Sequence, residues 1–132
     1  MAKLEKITLQ TFRDERGSLT PFEASEILDW PVKRVYYLTD VTAPRGQHCV
    51  RNERKIYICQ KGQIKARLHD GEQWHDFELS GPGDAILMEE DCFRDFYEFS
   101  EDAVLLALSS VNYDPEDYIY DLEEFIQYKK TL

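Results

Sequence analysis

Nowhere does the chain run apolar for the length a membrane span needs, and its first six residues, Met1-Ala2-Lys3-Leu4-Glu5-Lys6, lack the apolar stretch of a signal peptide. Positive charge is scarce too. Sixteen Lys and Arg stand against 26 Asp and Glu, a formal net charge of −10, which argues against nucleic acid or an anionic membrane as partner, since both require an extended positive face. Cys49, Cys59 and Cys92 are odd in number and lack C-x-x-C spacing, so neither a disulfide framework nor a zinc knuckle is indicated, and reduced thiols suit the cytosol. No repeat, low-complexity tract or linker divides the 132 residues. The expectation is one cytoplasmic, soluble domain spanning 1–132.

What is present folds: 42% of residues are hydrophobic and 13% aromatic. Residues 5–11 alternate, with Ile7 and Leu9 on one face, and Asp14-Glu15-Arg16-Gly17 supplies a turn before an extended segment over 18–22. One helical turn over 24–28 is stopped by Trp30-Pro31. Strands are expected over 32–38, 56–59, 63–68, 74–79, 85–88, 93–99 and 103–109, with Asp70-Gly71 a hairpin turn and 104–108 apolar enough to be buried on both faces. Tyr118, Ile119, Leu122, Phe125 and Ile126 recur at helical spacing, with Asp114 placed to cap and Pro115 suited to the first turn. The fold class is therefore all-β: a jelly-roll barrel over about 5–110, closed by one C-terminal α-helix over about 115–130.

The most basic stretch runs from Pro44 to Lys55 and carries Arg45, Gly46, His48, Arg51 and Arg54, where a polyanionic ligand would be drawn. Arginine suits phosphate because its planar fork donates two parallel hydrogen bonds, and Gly46 lets backbone approach a ligand closely. Jelly rolls include the cupins, whose metal-binding members converge an H-x-H pair, a glutamate and a later histidine on one cation. Here Val50 stands at the second histidine, Arg54 where the glutamate would fall, and Arg94 at the late histidine, so no metal is expected. His69 and His75 flank the hairpin turn and read as exposed. Cys49 neighbours His48 but faces the opposite way on a strand, which rules out a nucleophile–base pair. Of Tyr36 and Tyr37 only one can face an interior, where its hydroxyl could relay a proton. Tyr113, Tyr118, Tyr120 and Tyr128 read as helix packing. The acidic residues from Glu89 to Glu124 read as a solvated outer face.

Asp14-Glu15-Arg16-Gly17-Ser18-Leu19, Lys33-Arg34-Val35-Tyr36-Tyr37, Pro44-Arg45-Gly46-Gln47-His48 and Asn112-Tyr113-Asp114-Pro115-Glu116-Asp117-Tyr118-Ile119 together resemble the cupin-type nucleotide-sugar 3,4-ketoisomerases, over roughly residues 5 to 128. The resemblance implies a homodimer with exchanged N-terminal strands, no metal or other cofactor, and a dTDP-linked 4-keto-6-deoxyhexose isomerised to the 3-keto sugar for deoxyamino-sugar and polysaccharide biosynthesis. It casts His48 as acid–base, Tyr37 or Tyr36 as donor or relay, and Arg45, Gly46, Arg51 and Arg94 as substrate-binding residues. The sequence departs from the family's His-x-His at Val50 and from its later Trp-His at Phe93-Arg94. A silent nucleotide-sugar-binding or accessory cupin, or a related epimerase, is the alternative.

Overall fold

Apolar residues at every second position give most strands one face to bury, and the chain satisfies them by laying two antiparallel sheets face to face. The computed structural model describes residues 3–132. Its elements in order are β1 (Leu4–Thr8), β2 (Phe12–Asp14), β3 (Gly17–Leu19), α1 (Ala24–Ile27), β4 (Arg34–Leu38), β5 (Arg45–Val50), β6 (Lys55–Lys61) and β7 (Gln63–His69). There follow β8 (Trp74–Ser80), β9 (Asp84–Met88), β10 (Phe93–Tyr97), β11 (Val104–Ser109), β12 (Tyr118–Ile119) and α2 (Leu122–Lys129). One sheet runs β1-β9-β6-β11-β4 and the other β12-β5-β10-β7-β8, the jelly roll expected from the even spacing of strands. No helix described is long and apolar enough to cross a membrane.

Between the sheets lies the main core, which includes Tyr57, Cys59, Leu68, Met88, Phe96 and Leu105. On β11 the inward Leu105, Ala107 and Ser109 alternate with Leu106 and Leu108, which pack outward with Ile56 and Ile58 beneath the segment of Phe22, Leu28 and Trp30. A third cluster, Cys49, Phe93, Ile119 and Phe125, seats α2 against the second sheet. All three cysteines are free and buried. β1 lies antiparallel on β9, Leu4 opposite Met88 and Thr8 opposite Asp84. The β2–β3 hairpin pairs only with itself and leaves Phe12 and Leu19 exposed.

The C-terminal segment differs from the single helix expected over 115–130. Asp114 and Pro115 initiate only a 3-10 turn, Pro115–Asp117, in which the Asp114 side chain accepts from the Glu116 amide at 3.0 Å. Tyr118 and Ile119 then run extended and pair with Val50 and Cys49, and Asp121 caps α2 by accepting from the Glu124 amide at 2.9 Å. Strand pairing wins because it satisfies β5's free edge and buries Ile119 completely, whereas one more helical turn would bring little intrinsic stability.

Two further expectations are corrected by burial. His69 is buried edge-on to Trp74 and Phe125, its Nδ1 accepting from the Gly71 amide at 3.0 Å; His75 is half-buried and pairs with Asp70 at 2.7 Å. The acidic stretch is not wholly a solvated face either, since Asp91 and Asp95 are buried. Asp91 accepts from the Asn52 amide at 3.0 Å, from Arg54 Nη1 at 3.1 Å and from the Tyr128 hydroxyl, tying the β5–β6 turn to α2. Asp91→Ala leaves three donors without their shared buried carboxylate, and roughly 3 kcal/mol of stability is expected to be lost in urea unfolding.

Candidate active site

β5 enters the second sheet with Gly46 at φ +100°, a backbone conformation that L side chains rarely adopt. A Cβ there would lie 2.9 Å from the Arg94 carbonyl oxygen on β10. The glycine of the Arg-Gly pair is thus demanded by close strand approach as well as by its conformation, rather than by a ligand alone. The Gly46 carbonyl accepts from the His48 imidazole, Nδ1 to O 2.8 Å, which places the ring's proton on Nδ1 and leaves Nε2 with a lone pair. Tyr118 stacks on the same ring at 4.8 Å between centroids, and Tyr120 lies at 6.1 Å. The residue expected to pack a helix is therefore a wall of the site.

His48 opens on a narrow cleft between the sheets, lined by Tyr36 and Leu38 of β4, Tyr57 of β6, Leu105 of β11, Arg45 and Gly46 of β5, and Arg94 and Phe96 of β10. Arg94 is the buried cation of this cleft. Its Nη1 donates to Glu53 Oε1 at 2.7 Å and to the Tyr57 hydroxyl at 2.9 Å, and its Nη2 donates to the Cys92 carbonyl at 3.1 Å. Glu53 Oε2 in turn accepts from the Ser109 hydroxyl at 2.6 Å and lies 3.3 Å from Lys55 Nζ. Arg94, Glu53 and Lys55 are each 1% exposed.

This charge arrangement sets the protonation of the site. Burial, reinforced by the positive Arg94, pushes the His48 imidazole down to about 4, so it stands neutral at pH 7. Burial and the same guanidinium depress Lys55 to about 7, with Glu53 opposing them. Burial alone would raise the Glu53 carboxyl, but Arg94 and Lys55 outweigh it and hold it at about 2. Desolvation pushes the half-buried Tyr36 up to about 12, against the opposing pull of Arg94 and Arg34, so it keeps its proton as a donor; Arg34 and Lys55 each lie 4.7 Å from its ring centroid. The site therefore offers a neutral imidazole with one free nitrogen, a phenol donor and a buried guanidinium.

The candidates from the sequence separate accordingly. Tyr36 faces the cleft, whereas Tyr37 points outward, 67% exposed, and has no access to it. Arg45 stands exposed at the mouth. Arg51 leaves the site: its Nη1 donates to the Glu116 carbonyl at 2.8 Å and its guanidinium lies over Tyr128, holding the C-terminal segment in place. Arg94 reaches the interior as expected, though two of its three nitrogens are engaged by protein. Val50 is buried and paired with Tyr118. Sequence reasoning missed Glu53, Lys55 and Ser109. The signal lay in an opposite-charge pair two residues apart leading into an apolar strand, since period two carries both side chains to one face. The donor set does not fit a divalent cation, because the cleft presents one imidazole beside a guanidinium and both Glu53 oxygens are already engaged.

A two-sheet jelly roll with an imidazole and a phenol lining the cleft between its sheets defines the chain as a cupin. The chain belongs to the FdtA family, described as WxcM-like, C-terminal, whose model matches residues 2–130. It is 30% identical over 124 residues to the TDP-4-oxo-6-deoxy-alpha-D-glucose-3,4-oxoisomerase of Aneurinibacillus thermoaerophilus, covering 92% of this chain and 89% of that one. QdtA, a sugar 3,4-ketoisomerase of Thermoanaerobacterium thermosaccharolyticum solved with TDP, superposes with a TM-score of 0.88 at 31% identity, covering 98% of this chain and 96% of that one. WlaRB, a TDP-quinovose 3,4-ketoisomerase of Campylobacter jejuni, superposes with a TM-score of 0.86 at 31% identity, covering 96% and 99%.

His48 is expected to titrate near pH 4 in an NMR titration of the imidazole carbons, against 6.5 for the unfolded chain. Its folded value is the lower one, so the unfolded state binds the proton first and stability falls as the pH drops from 6.5 toward 4. In a His48→Gln variant that share of the pH dependence disappears from the urea midpoints.

Proposed function

We propose that this protein isomerises a TDP-linked 4-keto-6-deoxyhexose to the corresponding 3-keto sugar, a step of deoxyamino-sugar biosynthesis. The observation that carries the reading is the hydrogen bond from His48 Nδ1 to Gly46 O, which leaves Nε2 unprotonated at the cleft in a chain of this family. The ketone at C4 acidifies the proton on C3. His48 Nε2 takes that proton, and the electron pair moves through C3 and C4 onto the C4 oxygen, giving an enediolate with a hydroxyl at C3. A proton then passes from the C3 oxygen to the C4 oxygen, with the Tyr36 hydroxyl as relay, and the imidazolium returns its proton to C4. The product carries its ketone at C3 and its hydroxyl at C4.

One base serves both carbon centres in turn, so the single imidazole left by Val50 is sufficient for the sequence of transfers. The Arg94 guanidinium offsets the negative charge gained in the enediolate. Its positive charge also depresses His48, and the diphosphate of an arriving substrate would counter that depression and strengthen the base where it is needed. Arg45, exposed at the mouth, clamps the diphosphate. No step calls on a metal. The protein acts as a homodimer, a reading supported by the family resemblance and by the exposed Val35 and Tyr37 on the outer face of β4, together with Phe12 and Leu19 on the hairpin.

His48→Asn is expected to lower kcat by roughly 10² to 10⁴ while leaving TDP affinity within twofold, followed by NMR of the sugar ring and calorimetry. Wild-type protein incubated with the 4-keto sugar in D₂O takes up deuterium at C3 or C4; binding without exchange or turnover would leave only the silent-cupin reading. Arg45→Ala weakens TDP binding about tenfold, equivalent to about 1.4 kcal/mol. Exhaustive chelation leaves kcat unchanged, and activity lost to EDTA and restored by a divalent ion would overturn the metal-free route.

A further inference from the structure

Glu53 is outside the residues that line the cleft, yet it is the best-connected side chain behind it. Its carboxylate joins three separate parts of the fold: the residues leading into β6, Arg94 on β10 and Ser109 on β11. The consequence falls on Arg94. Bonds from Nη1 to Glu53 and Tyr57, and from Nη2 to Cys92 O, fix the guanidinium plane and leave Nε buried with no partner in the protein. A buried N–H without an acceptor is costly and uncommon in folded proteins. On an arginine that lines a ligand cleft, it is a donor held for something the cleft receives.

The geometry points to Glu53 as a positioning residue: by gripping Arg94 while anchored by Lys55 and Ser109, it holds the Arg94 Nε–H ready for the sugar oxygen that gains negative charge. This rests on the isomerase reading of the same site. A carboxylate that merely neutralised two buried cations would matter for stability and for the titration of its neighbours. A positioning carboxylate matters in addition for where it sits, because the guanidinium follows it.

Glu53→Asp separates these roles, since it keeps the charge and withdraws the grip by one methylene. Ser109→Ala keeps Glu53 itself and removes the hydroxyl that steadies Oε2 and that also accepts from the Val111 amide at 3.2 Å. In folded Glu53→Asp, kcat is expected to fall at least tenfold, with KM and TDP affinity within twofold of wild type and the His48 titration unmoved. In Ser109→Ala, kcat falls about threefold. The Arg94 Nε–H resonance in ¹⁵N-labelled wild-type protein shifts when the TDP-linked keto sugar binds, and both variants reduce that shift. Wild-type kcat in folded Glu53→Asp, or an unaltered Arg94 response there, overturns the proposal. Should Glu53→Asp fail to fold, an unchanged kcat and Arg94 response in Ser109→Ala overturns it alone. Absence of turnover in wild-type protein sinks the isomerase reading instead, and the Arg94 resonance still decides whether Glu53 positions that donor for a bound sugar.

Discussion

A guanidinium with 1% of its surface exposed is the constraint from which the rest of the site follows. An isolated charge in a barrel interior would carry a desolvation penalty of several kcal/mol, and Arg94 is tolerable there only because Glu53, Tyr57 and the Cys92 carbonyl receive its protons. Glu53 needs company of its own, which comes from Lys55 and Ser109. Because Arg94 belongs to one sheet and Tyr57 and Ser109 to the other, the network is also a polar bolt across an otherwise apolar core. Removing one partner would leave an unpaired buried charge, so the network is retained or lost as a unit.

The same positive charge governs the chemistry. Metal-binding cupins place a divalent ion among imidazoles and a carboxylate, whereas here a tethered guanidinium occupies the interior beside one imidazole and behind it one carboxylate. It cannot dissociate, and burial, reinforced by its charge, leaves His48 neutral at pH 7. The Gly46 carbonyl then determines which nitrogen bears the proton, and Tyr118 supports the ring's face. His48, Tyr36 and Arg94 come from β5, β4 and β10, which are sheet strands rather than loops, so their mutual geometry is held by the ladders.

Much of the fold was legible because its signals are local. Alternation exposed the strands, Asp14-Glu15-Arg16-Gly17 and Asp70-Gly71 marked turns, and the run around Leu105 announced a core strand. The C-terminus was misread for a physical reason: Tyr118, Ile119, Leu122, Phe125 and Ile126 do match a helical period, and nothing local reports that β5 has an edge to be covered. Tyr118 consequently moved from helix packing to the wall of the site. Arg51 was misplaced by the same blindness, since a basic residue near a candidate anion site is indistinguishable by sequence from one that ties down a C-terminal segment. His69 read as exposed because its position beside a turn outweighed its place at the end of β7, where Trp74 and Phe125 cover it.

By itself the sequence determined the all-β class, the free cysteines, the acidic charge balance, and the grouping of Arg45, Gly46 and His48 in one short basic stretch, because composition and period two act within a few residues. Only the tertiary structure decided that Tyr36 and not Tyr37 faces the cleft, that the His48 Nδ1–H donates to the Gly46 carbonyl, and that Glu53, Lys55 and Ser109 stand behind Arg94. Those facts depend on pairings between residues far apart in the chain, Tyr36 with Ala107 and Glu53 with Ser109 among them, and a side chain's charge state and direction are set by neighbours that only the folded barrel brings within hydrogen-bond reach.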